Sequence, residues 1–105
     1  ISAIHEGVLN AAMVPLETSK TAFTLLESLP ELARVGNANA VTDVGVAGLL
    51  VSAACKGALF NVEININSLP NHMIEDLRME LDDLRGRCRD LSRELMIAVH
   101  ERMHS

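Results

Sequence analysis

Ile74, Leu77, Leu81, Leu84, Cys88, Leu91, Leu95 and Ala98 recur at alternating spacings of three and four, with Glu, Asp and Arg filling the positions between them. Residues three and four apart share one side of a helix, so this pattern is a heptad seam over more than three repeats. It commits the C-terminal third of the chain to one long amphipathic helix, expected from near Asn71 to near Met103. Asn71 is the expected N-cap, with Glu75 and Asp76 near the positive end of the helix dipole. Gly86 costs such a helix about 1 kcal/mol relative to Ala, which a long seam tolerates. The seam can serve a free-standing coiled coil or pack against other helices of a bundle, and its moderate length favours the bundle.

The N-terminal third carries a looser version of the same signal. From Ile1 to about Val35, apolar residues fall at Ile4, Val8, Ala11, Ala12, Leu16, Ala22, Phe23, Leu26 and Leu29, a helical spacing. Pro15 is expected to kink or start a helix, because it lacks a backbone donor and crowds the preceding turn. Pro30 is expected to open a further turn through Leu32 and Ala33. Gly36 and Asn37 then end the region, both being residue types that accept the left-handed conformation of a helix C-cap.

The middle is ambiguous from pattern alone. Val62, Ile64 and Ile66 alternate with Glu63, Asn65 and Asn67 as they would in a strand. Yet the run from Ala40 is built from Gly, Ala, Ser and Val, with Lys56 the sole charge between Asp43 and Glu63. Wound as a helix, it places Asp43, Ala47, Leu50, Ala54, Ala58, Asn61 and Asn65 on one stripe, with Ser52, Lys56 and Glu63 roughly opposite. This favours helix through about Ile66. Polar groups at the ends of such a run either cap and satisfy a buried helix or face a ligand.

Composition excludes several classes of function. Hydrophobic residues are 49% of the 105 and aromatics only 2%, so one aliphatic, close-packed core is expected. A formal net charge of −5 disfavours nucleic acid and anionic membrane, which recruit clustered Lys and Arg. The run Val44–Val62 reads as too polar for a convincing membrane span. The chain opens Ile1-Ser2-Ala3-Ile4 without a basic leader, and Cys55 and Cys88 form neither a disulfide framework nor a metal set. A reduced, cytosolic setting is therefore expected.

His100-Glu101-Arg102-Met103-His104 matches H-E-x-x-H. In zinc proteases two histidines at i and i+4 share a helical face and bind metal, while the glutamate activates water. A catalytic zinc also needs a third protein ligand, and only Ser105 follows; nothing in the sequence brings His5 or His72 there. No metal is expected. There is no glycine-rich phosphate loop, serine elbow or Cys-x-x-Cys, Glu80, Asp82 and Asp83 read as a solvated helix face, and Cys55 reads as a small buried hydrophobe.

The Val14-Pro15 pair, the block Gly36-Asn37…Asn39-Ala40…Asp43 and the block Gly57-Ala58…Asn61-Val62…Ile64-Asn65 together resemble the cyclodeaminase domain of formiminotransferase-cyclodeaminase and the related bacterial methenyltetrahydrofolate cyclohydrolases. The resemblance implies that residues 1–105 are the C-terminal part of a single helical domain, and that the fold is an all-α bundle of long helices, intertwined as a dimer. It also implies chemistry at the N5/N10 one-carbon unit of a tetrahydrofolate substrate. Asp43 is then the candidate acid or base, and Asn37, Asn39, Asn61 and Asn65 are the candidate substrate-binding residues, since amides read donor and acceptor edges. Each has a structural alternative: Asp43 as a helix-dipole partner, the asparagines as helix–helix hydrogen bonders.

On one straight helix Asp43 and Asn61 stand about 27 Å apart. They meet across a small ligand only if a second copy runs antiparallel, as a two-fold dimer allows. Small residues at Gly45, Gly48, Ala54 and Ala58, with the leucine seam, point to the same homodimer or higher oligomer. Two other classes of function stand beside the folate enzyme. A non-catalytic helical oligomerisation module would tolerate isosteres at Asp43 and Asn61. A zinc hydrolase would lose activity on His100→Ala.

Overall fold

The computed structural model describes residues 3–104; Ile1, Ser2 and Ser105 lie outside the described residues, and with them the first two positions of the expected opening helix. Three helices make up the fold: α1 (Ala3–Val35), α2 (Val41–Ile66) and α3 (Asn71–Met103), with a 3-10 turn at Ala38–Ala40 leading into α2. No strand occurs among the described residues. The alternation at Val62–Asn67 is helical up to Ile66, because β-branched residues there serve the packed face of a helix already running from Val41.

Cross-helix contacts fix the topology. Cys55 reaches Ser19 and Gly48 faces Leu29, so α1 and α2 run antiparallel. Glu63 pairs with Arg85 and Ser52 with Ser92, so α3 returns antiparallel to α2. Lys20–Glu80 and Arg34–Glu94, each 2.7 Å, then tie α3 to α1 in parallel. The result is an up-down-up rod of 57 × 17 × 15 Å.

The α3 seam packs as its spacing implies: Ile74, Leu81, Leu84, Cys88, Leu95 and Ala98 are buried, and Leu77 and Leu91 pack against the core. Val99 is buried too, since a 3.6-residue helix drifts off a strict heptad. The helix starts one residue later than the cap reading: Pro70 occupies the N-cap and Asn71 is the first helical residue. Pro70 has no amide hydrogen to satisfy and its ring presets the entry, so a side-chain cap is not used.

In α1 the buried face is Ala12, Leu16, Ser19, Ala22, Phe23, Leu26, Pro30 and Ala33. Ile4 and Ala11, expected on it, are exposed. Neither proline starts a helix; α1 runs through both. Gly36 is not left-handed, and no described residue has positive φ. Glycine fits there for a different reason: its amide donates to the Leu32 carbonyl at 2.8 Å, and a Cβ would lie 2.5 Å from that oxygen.

α2 departs furthest from the sequence reading. Its buried residues are Val41, Gly45, Gly48, Ser52, Cys55, Ala58, Leu59, Val62 and Ile66. Of the expected stripe only Ala58 is buried; Asp43, Leu50, Ala54 and Asn61 are exposed. Ser52, expected on the polar side, is inside because its hydroxyl has partners. Ser92 donates its only hydrogen to the Cys88 carbonyl at 2.7 Å, so Ser52 is the donor in the 2.6 Å contact between the two hydroxyls. Gly45 and Gly48 do not face outward for assembly. A Cβ at Gly48 would overlap Leu95 and one at Gly45 would press on Val99 at 3.2 Å, so these glycines let α3 approach α2. With its 3-10 lead-in, the helix has a window of mean hydropathy 1.5, a third of it buried. It is long and apolar enough to cross a membrane by length and composition, against the expectation that it is too polar.

Candidate functional site

The two blocks of amide and acid residues lie at opposite ends of α2. At its start, Asn37 caps the 3-10 turn: its side-chain oxygen accepts from the Asn39 amide at 2.9 Å. The Asn37 carbonyl accepts from Ala40 at 2.9 Å. Asn39 and Asp43 are exposed, and Asp43 sits in the first helical turn without serving as the cap, which is Ala40. Its carboxylate thus favours the helix dipole and still faces solvent.

The corner before this turn is closed from the other end of the molecule. Arg102 donates to the carbonyls of Arg34 and, at 2.7 Å, Gly36. These are C-terminal carbonyls of α1 that have no partner within the helix. A planar guanidinium suits two neighbouring acceptors, so the third variable letter of the H-E-x-x-H match is a helix cap.

At the far end of α2, Asn61 and Asn65 line a cleft of about 580 Å³ together with Ala11, Val14, Pro15 and Thr18 of α1 and Ala54, Gly57 and Ala58 of α2. Pro15 has no amide hydrogen to give the Ala11 carbonyl one turn back, which leaves a backbone acceptor on the wall. Thr18 donates to the Val14 carbonyl at 3.1 Å, so its oxygen offers lone pairs only. Asn65 donates to the Asn61 carbonyl at 2.8 Å, leaving its own amide oxygen as an acceptor, while Asn61 keeps both amide functions. Through Val14 and Thr18 the cleft continues into an apolar groove of about 610 Å³ on α1, floored by Met13, Thr21, Ala22 and Leu25. An apolar bed edged by a few hydrogen-bonding groups suits a flat, partly polar ligand.

Asn61 and Asn65 are therefore brought together, and Asn37, Asn39 and Asp43 are brought together, but the two groups are separated by most of α2. Ala11 and Thr18 were not singled out in the sequence. The signal that finds them is Pro15, since a proline inside a helix exposes the carbonyl one turn earlier.

The sequence profile described as Formiminotransferase-cyclodeaminase matches residues 2–99. The chain belongs to the formiminotransferase-cyclodeaminase family. Formimidoyltransferase-cyclodeaminase of Rattus norvegicus is 34% identical over 74 residues, which are 70% of this chain and 14% of the rat protein. The Mus musculus protein of the same name shows the same identity and shares, and that of Sus scrofa is 37% identical over 68 residues, 65% of this chain and 13% of its own. The chain thus spans about one seventh of the length of these relatives.

The stretch matched to the formiminotransferase-cyclodeaminase family takes in Asp43, all four asparagines and Pro15, and stops at Val99. The histidine pair lies beyond it. His100 and His104 stack with ring centroids 6.4 Å apart and are exposed. Among the described residues no three His, Cys, Asp or Glu side chains converge as a metal site. Cys55 is fully buried and donates to the Ser19 carbonyl at 3.5 Å. Burial, with a hydrogen bond to Cys88 adding to it, pushes its thiol up to about 12, the opposite of what a nucleophile needs.

Proposed function

We propose that the chain is part of a folate-dependent one-carbon enzyme of the cyclodeaminase type, acting at the N5/N10 unit of a tetrahydrofolate derivative as a homodimer or higher homo-oligomer. The observation that carries this reading is the family match over nearly the whole chain, with the matched asparagines Asn61 and Asn65 on a cleft of ligand size. In a cyclodeaminase, N10 attacks the formimino carbon on N5, the C–N bond to the amino group breaks and ammonia leaves. N10 loses one proton and the departing nitrogen gains one. A carboxylate within hydrogen-bond reach can carry that proton, and Asp43 is the carboxylate of the matched blocks that is exposed and in no ion pair among the described residues. Asn61 and Asn65 present donors and acceptors of the kind a pterin or benzamide edge requires. Water adding to the methenyl bridge, as a cyclohydrolase performs it, uses the same groups, with the carboxylate taking the proton from water.

The intact protein is assayed with formimino- and methenyl-tetrahydrofolate, following the methenyl chromophore, beside its Asp43→Asn variant. Asn keeps the shape and removes the proton-accepting charge, so turnover is expected to fall by roughly 10²-fold or more, with a change in stability of at most about 1 kcal/mol. Unchanged turnover removes Asp43 from the chemistry. Absence of turnover in the unmodified protein removes the reading itself.

A further inference from the structure

One face of α2 is left uncovered. Val46, Leu50, Ala53, Gly57, Phe60 and Ile64 recur at alternating spacings of four and three, on the side away from the buried face. The four large residues are each more than half exposed, from 56% at Val46 to 70% at Ile64. No charge falls on this stripe.

The stripe is its own mirror under chain reversal. Val46 and Ile64, Leu50 and Phe60, and Ala53 and Gly57 are placed symmetrically about Cys55. Laid antiparallel on a copy of itself, large residues meet large ones at the ends and the two smallest meet at the centre. That is the self-complementarity a two-fold interface requires, and alternating spacings of three and four suit a shallow crossing of about 20°. Gly57 supports the same centre. A Cβ there would touch nothing within 4 Å in this chain, so the chain itself gives no reason for a residue that costs a helix about 1 kcal/mol. A second helix passing close gives one. With Leu49 at the flank, the large side chains leave on the order of 600 Å² open per copy, and two copies together reach the lower bound of roughly 1,200 Å² for a specific interface.

We infer that α2 pairs antiparallel with α2 of a second copy, centred on Cys55, and that the candidate site is shared between the two chains. This rests on the folate-enzyme reading for the roles of Asp43 and Asn65; the pairing itself does not. In this register Asn65 of the second copy lies level with Gly45, about 3 Å along the axis from Asp43 at 1.5 Å per residue, and Asn61 of the second copy about 9 Å. Rotation about an axis normal to the helix pair keeps each side of the stripe on its own edge, so Asp43 and these amides flank the same edge. The separation of about 27 Å within one chain becomes about one turn between two, and the α1–α2 cleft of one copy opens beside Asp43 of the other.

Two experiments on the intact protein test this. Ala53→Cys protein mixed with Gly57→Cys protein under mild oxidation is expected to give a cross-linked dimer. Either variant alone is expected to give almost none, because only unlike positions oppose each other. No cross-link in the mixture, or equal cross-linking in the separate variants, overturns the register while circular dichroism confirms both are folded. A folded monomer whose α2 face inserts into phosphatidylcholine vesicles overturns the pairing as well. In the second experiment, Asp43→Asn and Asn65→Ala subunits are refolded together. Half the dimers are then mixed and each mixed dimer keeps one intact site, so turnover is expected to return to about a quarter of the unmodified level. No recovery above the separate variants overturns the shared site. If the unmodified protein turns over neither folate, the functional reading fails, and the cysteine cross-link still decides the pairing.

Discussion

α2 and α3 sit side by side in one bundle, yet they address their surroundings in opposite ways. α3 is apolar on one side only, and its other side carries Glu80, Asp82, Asp83, Arg87, Arg89, Asp90 and Arg93 toward water or into ion pairs. α2 has nearly the same apolar character all round, with Lys56 as the one charge between its ends. A helix with a solvated side is finished by its own chain. One that is apolar on every side is finished only when something covers the second face.

The sharpest way to break that contrast is to truncate one large apolar residue on each helix. Leu95→Ala in α3 empties a fully buried position and is expected to cost 2–5 kcal/mol, seen as a lower melting temperature at every protein concentration. Leu50→Ala in α2 removes a side chain that is 67% exposed. It is expected to leave the isolated subunit within about 0.5 kcal/mol and to weaken self-association roughly tenfold or more, read from the concentration dependence of the melt. A Leu50→Ala protein as strongly associated as the parent contradicts the assignment of that face.

The glycines of α2 sharpen the contrast further. Gly48→Ala pushes a methyl into Leu95 and is expected to cost about 1–3 kcal/mol by overpacking. Gly57→Ala meets open space within the chain and is expected to stabilise the isolated subunit by up to about 1 kcal/mol while weakening the dimer. Denaturant titrations at low and high protein concentration separate the two terms.

A smaller effect concerns the seam between the helices. The Cys55 thiol, normally near 9.0, is held up at about 12 in the fold. A raised folded value stabilises the neutral form, so the contribution is complete below pH 9 and is lost as pH climbs toward 12. Stability is expected to fall in that window by up to about 1.4 kcal/mol per pH unit, and Cys55→Ala is expected to flatten the slope. An identical alkaline slope in that variant assigns the loss to other groups.

The difference between the helices also governs what could be read from the sequence. α3 was legible almost to the residue because charges mark its outer side, and the all-helical fold followed from it. The phase of α2 was not, because Gly, Ala, Ser and Val mark no side. Ser52 looked polar until its hydroxyl found Ser92, and Gly45 and Gly48 looked like an assembly face until Val99 and Leu95 closed on them. Asn61 and Asn65 were visible as amides at a helix end. Their cleft was not, because it is made with Ala11 and Thr18, about half the chain away and unremarkable except for Pro15 between them. Asn37 was legible as polar and not as a cap, since that depends on the backbone turning at Ala38.

The clasp of Arg102 on the carbonyls of Arg34 and Gly36 has a consequence for how the chain is made. The bend between the first two helices is completed by a residue near the end of the third, so the corner stays unsealed while the ribosome is still adding α3. A nascent hairpin of α1 and α2 can form early from neighbouring contacts, but its upper end remains frayed until the last turn arrives. Long-range closures of this kind slow folding relative to local ones. They also make the segment just after Val99 a checkpoint on completeness: a chain truncated there keeps its seam and loses its latch.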